Sequence, residues 1–318
     1  MSGLLGALVD DAGLFPPTSL DMRSAVRRHR GDLAGGEPML AHRFLCPAAR
    51  IGEFIAELSP EDRFRVILIG GADPAATREA IRLVIDTPAL TLVAVEWAPM
   101  AITPPPSDVA PEATQPAAAS EATQSAAAPE ATQAGAALDT ALRTLADAGA
   151  GPDVPLFAEP SDITGAAAMT AAIVAARASA GRPLGLKLRC GGVRPDLFPS
   201  ATDLATALVT AAEAGVPVKA TAGLHHAVRH VDPATGFTHF GYLNVLLASA
   251  QAQRGRSVAD VASVLLDEDA DRLRALAESL GPEEARRVRT GFASYGSCST
   301  STPVREAAEL GLSARVTT

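Results

Sequence analysis

Short apolar runs alternate along the chain with segments of helical periodicity. Eight of these runs have the length and composition of buried strands, and each is followed by a helical pattern. The predicted strands are residues 7–11, 39–45, 65–69, 91–96, 154–159, 185–190, 216–222 and 288–294. Strands that alternate with helices are typical of a parallel sheet. Eight such units predict an α/β fold of the (β/α)8 or TIM-barrel type, with residues 1–318 forming one domain.

One stretch breaks the alternation after the fourth predicted strand. Residues 104–135 are rich in Ala and Pro, contain no aromatic residue, and repeat the letters EATQ at Glu112, Glu121 and Glu130. Such a segment cannot bury enough apolar surface to offset the entropy lost on ordering. We therefore predict a disordered, low-complexity insert within the barrel.

Helical patterns are clearest late in the chain. Residues 203–211 place Leu204, Ala207, Leu208 and Ala211 on one face, as a helix that packs on a sheet requires. Between the seventh and eighth predicted strands, residues 242–253 and 258–280 predict two or more further helices.

Composition narrows the classes of partner. The 318 residues are 47% hydrophobic and carry a formal charge of −9, so no basic field exists to attract nucleic acid or an anionic membrane. The start of the chain has no signal-peptide pattern, and we expect a cytoplasmic protein. Its partner would be a small molecule, and a homo-oligomer is compatible with the pattern. The three cysteines lack the spacing of a disulfide framework or a thiolate zinc site.

Lysine is rare in this chain. Lys187 and Lys219 are the two lysines among 27 basic residues. An ammonium group can lose its proton and become a nucleophile or base, whereas a guanidinium group effectively cannot. The retention of lysine at these two positions therefore points to chemistry there.

Charged residues cluster on the predicted strands. Strand four ends in Glu96 and strand five in Glu159, strand six carries Lys187 and Arg189, and strand seven carries Lys219. If these side chains point into the barrel, they surround one cavity. A lysine beside another cation has a lowered pKa and becomes an amine nucleophile for a ketone or aldehyde. A lattice of ion pairs that only fills the barrel is the alternative.

Two segments resemble deoxyribose-phosphate aldolases, which are class I (Schiff-base) barrels. Residues 185–191, GLKLRCG, stand where that family has its sixth-strand Schiff-base lysine, and residues 218–223, VKATAG, are similar to its seventh-strand segment. The resemblance implies that Lys187 is the nucleophile, that Lys219 assists it, and that no cofactor is needed. The sequence departs from the family at Arg189 and Cys190, and at the residues Leu224-His225-His226 that replace a glycine-rich phosphate loop.

The first strand ends in two aspartates, Asp10 and Asp11, of which one should face the barrel mouth. We take Asp11 as the candidate catalytic residue; a cap for the following loop is the alternative. Arg43 shares its parity with Leu45 on the second strand and could bind a carboxylate, either of a substrate or of Asp11.

Loops after the seventh and eighth strands supply further candidates. Ser297 and Ser299 precede a helix that Thr302 is predicted to cap, and backbone N–H groups at such a helix start can hold an anion. Cys298 in the same loop could be a nucleophile. Four histidines fall within fifteen residues: His225, His226, His230 and His239. His225 and His226 could contact substrate.

Three functions fit these residues. The first is a lyase that acts on a small anionic carbonyl substrate, a carboxylate or a phosphate, through a lysine Schiff base. The second is a hydrolase or isomerase that uses a divalent metal, with His225, His226 and Glu159 as ligands and Glu96 as a further carboxylate. The third is a non-catalytic binding barrel.

Overall fold

Eight parallel strands close into a barrel in the computed structural model, which describes residues 2–98 and 127–312. The barrel strands are β1 (Val9–Asp11), β2 (Leu40–Pro47), β3 (Phe64–Gly70), β4 (Leu90–Trp97), β5 (Leu156–Ala158), β6 (Leu184–Arg189), β7 (Val218–Thr221) and β10 (Phe292–Ser297). Around the barrel they follow the order β1-β10-β7-β6-β5-β4-β3-β2. The predicted (β/α)8 barrel is therefore confirmed.

Helices follow the strands and cover the barrel. They are α1 (Ser2–Leu5), α2 (Met22–Gly35), α3 (Ile51–Ala56), α4 (Pro74–Asp86), α5 (Ala127–Asp147), α6 (Ala166–Ala176), α7 (Ala201–Glu213), α8 (Tyr242–Gln253), α9 (Val258–Leu265), α10 (Ala270–Glu278), α11 (Pro282–Gly291) and α12 (Ser301–Glu309). The predicted stripe on α7 is buried, and the predicted helices between the last two barrel strands are present. A short antiparallel hairpin, β8 (His230–Val231) with β9 (Thr238–His239), precedes α8. Within the described residues, no helix is long and apolar enough to cross a membrane.

All eight observed barrel strands differ from the predicted ranges at one or both ends, and the backbone explains the difference for three of them. Residues 288–291 belong to α11 rather than to the eighth barrel strand, because Ala285 and Val288 are buried together at helical spacing. Ala7 and Ala222 have φ values of 49° and 62°, in the left-handed region that a regular strand does not use. The first barrel strand therefore starts later than predicted, and the seventh ends earlier.

The predicted end of the insert, at residue 135, is wrong. Residues 104–126 lie outside the described residues, but residues 127–135 form the start of α5. Ala134, Leu138, Ala141 and Leu145 recur at helical spacing and are buried. Because this face packs between α4 and α6, tertiary burial stabilises a segment whose composition alone predicted disorder.

The inside of the barrel is apolar on one side. Its apolar side chains come from β2 to β5 and from the residues that directly follow β1 and β4. They are Ala12, Leu45, Ile67, Ile69, Ala94, Ala98 and Phe157. Gly185 on β6 completes the packing, because a Cβ at this position would lie 2.5 Å from Cε1 of Phe157. The Phe157 ring thus lies against the backbone of β6, one inner position before Lys187.

Gly185→Ala is expected to lower the free energy of unfolding by about 1 to 3 kcal/mol, because the added methyl group overlaps the Phe157 ring. Urea denaturation of both proteins measures the difference. Gly31→Ala is the control, since Gly31 lies within α2 and nothing lies within 4 Å of its added Cβ; it should be neutral or stabilising. Equal stability of Gly185→Ala and wild type would contradict this packing.

Candidate active site

Strand alternation brings the predicted lysines and glutamates to the inside of the barrel. Lys187 on β6 is directly opposite Lys219 on β7 in the strand register, and each side chain is 1% exposed. Glu96, near the end of β4, is fully buried. Glu159 follows β5, and its N–H continues the ladder by donating to Trp97 O at 2.9 Å.

Glu96 connects the two lysines. Its Oε2 lies 2.7 Å from Nζ of Lys187, and its Oε1 lies 2.7 Å from Nζ of Lys219. Because β5 and β6 separate β4 from β7 in the barrel order, the contact with Lys219 spans the lumen rather than a pair of adjacent strands.

Further ion pairs extend from each lysine. On one side, Nζ of Lys187 lies 2.9 Å from Oε2 of Glu159, and Arg189 donates to Oε1 of Glu159 at 2.9 Å. On the other side, Nζ of Lys219 donates to Oδ2 of Asp10, and Nε of Arg43 donates to Oδ1 of Asp10 at 2.6 Å.

These contacts form one continuous chain of alternating charge, which we call the inner charge network. Its members, in order of contact, are Arg189, Glu159, Lys187, Glu96, Lys219, Asp10 and Arg43. Four cations and three carboxylates give a net charge of +1. The two arginines at its ends are the more exposed members, at 34% for Arg189 and 22% for Arg43.

The network fixes the protonation of its buried members. Burial raises the pKa of Glu96, but the charges of Lys187 and Lys219 outweigh burial and lower that pKa from 4.5 to about 2. Asp10 has a lowered pKa because Arg43 and Lys219 likewise outweigh its burial. Both carboxylates are therefore ionised at neutral pH.

The expected lowering of a lysine pKa is wrong for Lys187. Burial lowers the pKa of Lys187, but the carboxylates of Glu159 and Glu96 outweigh burial and raise it above its usual value. The neighbouring cation, Lys219, is separated from it by Glu96, so the like-charge repulsion on which the expectation depended is neutralised. In this state Lys187 is an ammonium group with proton acceptors at 2.7 and 2.9 Å.

Small side chains occupy the next inner positions toward the carboxyl ends of the strands. Ala12 and Ala98 follow Asp10 and Glu96 by two residues, and Thr221 follows Lys219 by two. A Cβ on Gly296 of β10 would lie 3.6 Å from Ala12 Cβ and 3.9 Å from Thr221 Oγ1, so these small residues adjoin one another. They lie at the carboxyl end of the barrel, where active sites of this fold occur.

Asp11 does not join the inner charge network, in which Asp10 takes part instead. Because successive strand residues face opposite sides, Asp10 points into the barrel and Asp11 points out toward α2. Oδ2 of Asp11 lies 3.0 Å from Nδ1 of His29, and Oδ1 accepts a hydrogen bond from Arg28. Oδ1 also accepts from the N–H of Gly13 at 2.9 Å, which fits the alternative prediction of a loop cap.

Arg43 takes the inner position that its parity predicts, but its carboxylate partner is Asp10 rather than Asp11. Asp10 is the other member of the predicted pair of aspartates, whereas Ser294 was not predicted; its Oγ donates to Oδ2 of Asp10 at 2.7 Å. The alternation with the apolar Val9, which packs on the outer side of β1, is the signal that could have selected Asp10.

The hydroxyl groups of Ser297 and Ser299 form hydrogen bonds within their own loop and with the helix that follows it. Oγ of Ser297 donates to Ser299 O at 2.7 Å, and Oγ of Ser299 accepts from the N–H of Thr302 at 3.2 Å. The helix begins at Ser301, so Thr302 lies inside its first turn and the predicted cap at Thr302 is wrong; Ser299 supplies the capping oxygen.

The four histidines form a row of neighbouring rings, and two of them, His230 and His239, are paired residues of the hairpin. Ring centroids are 4.4 Å apart for His226 and His230, 5.4 Å for His230 and His239, and 6.5 Å for His225 and His239. His226 is nearly half exposed and bonds Glu306 of α12 at 2.7 Å. Burial lowers the pKa of His225, His230 and His239, so these imidazoles are neutral at pH 7.

The ligand set of the metal alternative is not assembled. Glu159 is held by Lys187 and Arg189, whereas His226 is held by Glu306. Across residues 2–98 and 127–312, no three His, Cys, Asp or Glu side chains are grouped so that they could hold a metal ion.

Comparisons with known proteins give no relative of this chain. No family model, curated protein or solved structure matches it. A barrel fold hosts many chemistries, so the function has to be inferred from the inner charge network itself.

Glu96→Gln is expected to lower the free energy of unfolding at pH 7 by about 3 kcal/mol, because the two lysines lose a shared carboxylate whose pKa falls from 4.5 to about 2 on folding. A carboxyl group whose pKa is lower in the folded state stabilises the fold at pH values above its pKa in the unfolded state. This contribution is lost as the pH falls through the pKa of the folded state. The difference between wild type and variant should therefore shrink by about 2 kcal/mol between pH 4.5 and pH 3.

Urea denaturation across this pH range checks the expectation. Glu53→Gln is the control, because Glu53 pairs with Arg50 on the surface and is half exposed; its effect should stay below about 1 kcal/mol. A difference for Glu96→Gln that does not change with pH would contradict the assignment.

Proposed function

We propose that this protein is a carbon–carbon lyase that forms a Schiff base between Lys187 and a small anionic carbonyl substrate. The observation that carries the proposal is the position of Lys187, an inner lysine held between the carboxylates of Glu96 and Glu159 at 2.7 and 2.9 Å. The aldolase-like segments around Lys187 and Lys219 support the same reaction by resemblance.

The reaction needs the amine of Lys187 rather than its ammonium form. Glu159 and Glu96 lie 2.9 and 2.7 Å from Nζ, within reach for direct proton transfer. After the proton moves to a carboxylate, the nitrogen attacks the carbonyl carbon, and the carbonyl oxygen leaves as water after it has been protonated. The resulting iminium ion accepts the electron pair of the carbon–carbon bond that breaks, while the hydroxyl group on the departing carbon gives up its proton and that fragment leaves as an aldehyde or ketone. Protonation of the remaining enamine and hydrolysis of the imine by water then release the second product and restore the amine of Lys187.

Glu159 is the better proton shuttle of the two carboxylates. It is 5% exposed and adjoins Arg189, which is one-third exposed, so it connects Lys187 with the outer end of the network. Glu96 is fully buried between two lysines, where the strong lowering of its pKa opposes protonation. Its role is to hold Lys187 and Lys219 in place.

Lys219 acts as the charged partner of the reaction. It lies between Glu96 and Asp10, and Asp10 is fixed further by Arg43 and Ser294. Both carboxylate neighbours of Lys219 are fully buried, whereas Glu159 beside Lys187 is 5% exposed. This difference favours electrostatic stabilisation as the role of Lys219.

The net charge of the network favours an anionic substrate. One positive charge has no carboxylate of its own among the seven members, and a carboxylate or phosphate group of the substrate would balance it. Arg189 is the member best suited to bind this group, because a guanidinium group offers several donors in one plane and its side chain is one-third exposed.

Borohydride reduction in the presence of pyruvate, glyoxylate or glyceraldehyde 3-phosphate is expected to add substrate mass to the peptide that contains Lys187. The chain has two lysines, so fragmentation of the labelled peptides separates them from each other and from the N-terminal amine. Lys187→Arg is the matched control, because it retains the positive charge between Glu96 and Glu159 but cannot form the imine.

An adduct on Lys187 that disappears in folded Lys187→Arg, and persists in Lys219→Arg, supports the proposal. Modification of Lys219 in place of Lys187 would contradict the assigned roles. Absence of an adduct on either lysine with all three compounds would overturn the proposal and favour a non-catalytic barrel whose charges are structural.

A further inference from the structure

A thiol and an imidazole meet at the same end of the barrel as the lysine site, outside the inner charge network. Cys298 directly follows β10, and His225 lies in the loop after β7. The Sγ atom of Cys298 is 3.2 Å from Nδ1 of His225 and 4.0 Å from its Nε2. This spacing is within the range of a hydrogen bond to sulfur, so a nucleophile and a base are in contact.

The imidazole is in the protonation state that a base requires. Burial lowers the pKa of His225, and the charge of Asp232 only partly opposes this effect. The ring is therefore neutral at pH 7 and has one nitrogen free to accept a proton. With Nδ1 as that nitrogen, the S–H group donates to it.

The loop holds the sulfur in this position from both sides. Nη1 of Arg28 donates to the backbone oxygen of Cys298 at 2.7 Å. The hydroxyl of Ser297 reaches across Cys298 to the backbone oxygen of Ser299 at 2.7 Å. These two hydrogen bonds anchor the backbone that carries Cys298, and the contact with His225 orients its side chain.

The other two cysteines provide an internal contrast. Cys46 and Cys190 are free and fully buried, and burial raises the pKa of each thiol to about 12. No histidine contact is found for either thiol among the described residues, whereas Cys298 is 4% exposed beside a partly exposed His225. The surroundings of the three thiols thus differ in the features that control cysteine reactivity.

We propose that Cys298 is the nucleophilic thiol of this chain and the site at which soft carbon electrophiles modify it, with His225 as the base that takes its proton. With iodoacetamide as the probe, the S–H proton passes to Nδ1 and the sulfur attacks the methylene carbon. A carbon–sulfur bond forms, the carbon–iodine bond breaks, and iodide leaves. The imidazolium then gives its proton to water. This inference is independent of the proposed function, since no lysine takes part.

The test is a time course of alkylation by iodoacetamide on the native full-length chain at pH 7, with the three cysteine peptides quantified by mass spectrometry. Cys298 is expected to react at least about tenfold faster than Cys46 and Cys190. In guanidinium chloride the three rates should become similar, because the folded surroundings are lost. This comparison uses wild-type protein alone.

His225→Asn tests the base directly. The variant should lower the rate at Cys298 about tenfold or more and leave the slow rates at Cys46 and Cys190 unchanged. Those two rates also report on folding, because a loosened barrel would raise them; His225→Gln serves if His225→Asn is loosened in this way. A native Cys298 that reacts no faster than the buried cysteines would overturn the proposal. An unchanged rate in a folded His225 variant would do so as well.

Discussion

The bridge that Glu96 makes between Lys187 and Lys219 is the interaction on which the barrel interior depends. Moving an ion from water into a protein interior costs several kcal/mol even after relaxation, and two ammonium groups on neighbouring strands would add their repulsion. A carboxylate in contact with both lysines offsets both effects. The remaining members of the network follow from the same requirement, since each end of the chain of charges finishes at an arginine that is partly exposed to solvent.

The apolar half of the lumen makes this arrangement possible. Phe157 packs against Gly185 on β6 and belongs to the same inner apolar cluster as Leu45, Ile67 and Ile69. Because Lys187, Lys219 and Glu96 are at most 1% exposed, their ion pairs act at a lower effective dielectric constant than they would on the surface.

Much of this architecture could be predicted from residue patterns. Strand alternation placed Lys187 with Arg189 and Lys219 with Thr221 on one face each, and the structure shows that these faces point inward, where Lys187 and Lys219 meet Glu96 and Glu159. Residue patterns did not predict which of two adjacent polar residues faces the barrel, or where tertiary packing makes a segment helical. Asp10 and Asp11 differ only in parity, and the start of α5 looks disordered until its buried face is seen against α4 and α6. The pKa of Lys187 depends on which ion lies between the lysines, and strand spacing does not contain that information.

The two halves of the chain contribute residues of opposite net charge to the inner charge network. The half that ends with β4 contributes Asp10, Arg43 and Glu96 to the lumen, a net charge of −1. The half from β5 onward contributes Glu159, Lys187, Arg189 and Lys219, a net charge of +2. Because contacts between Lys187 and Glu96, and between Lys219 and both Glu96 and Asp10, join the halves, neither half can neutralise its own interior. Closure of the barrel is therefore an assembly of complementary surfaces within one chain, and the lysine site does not exist until both halves are in place.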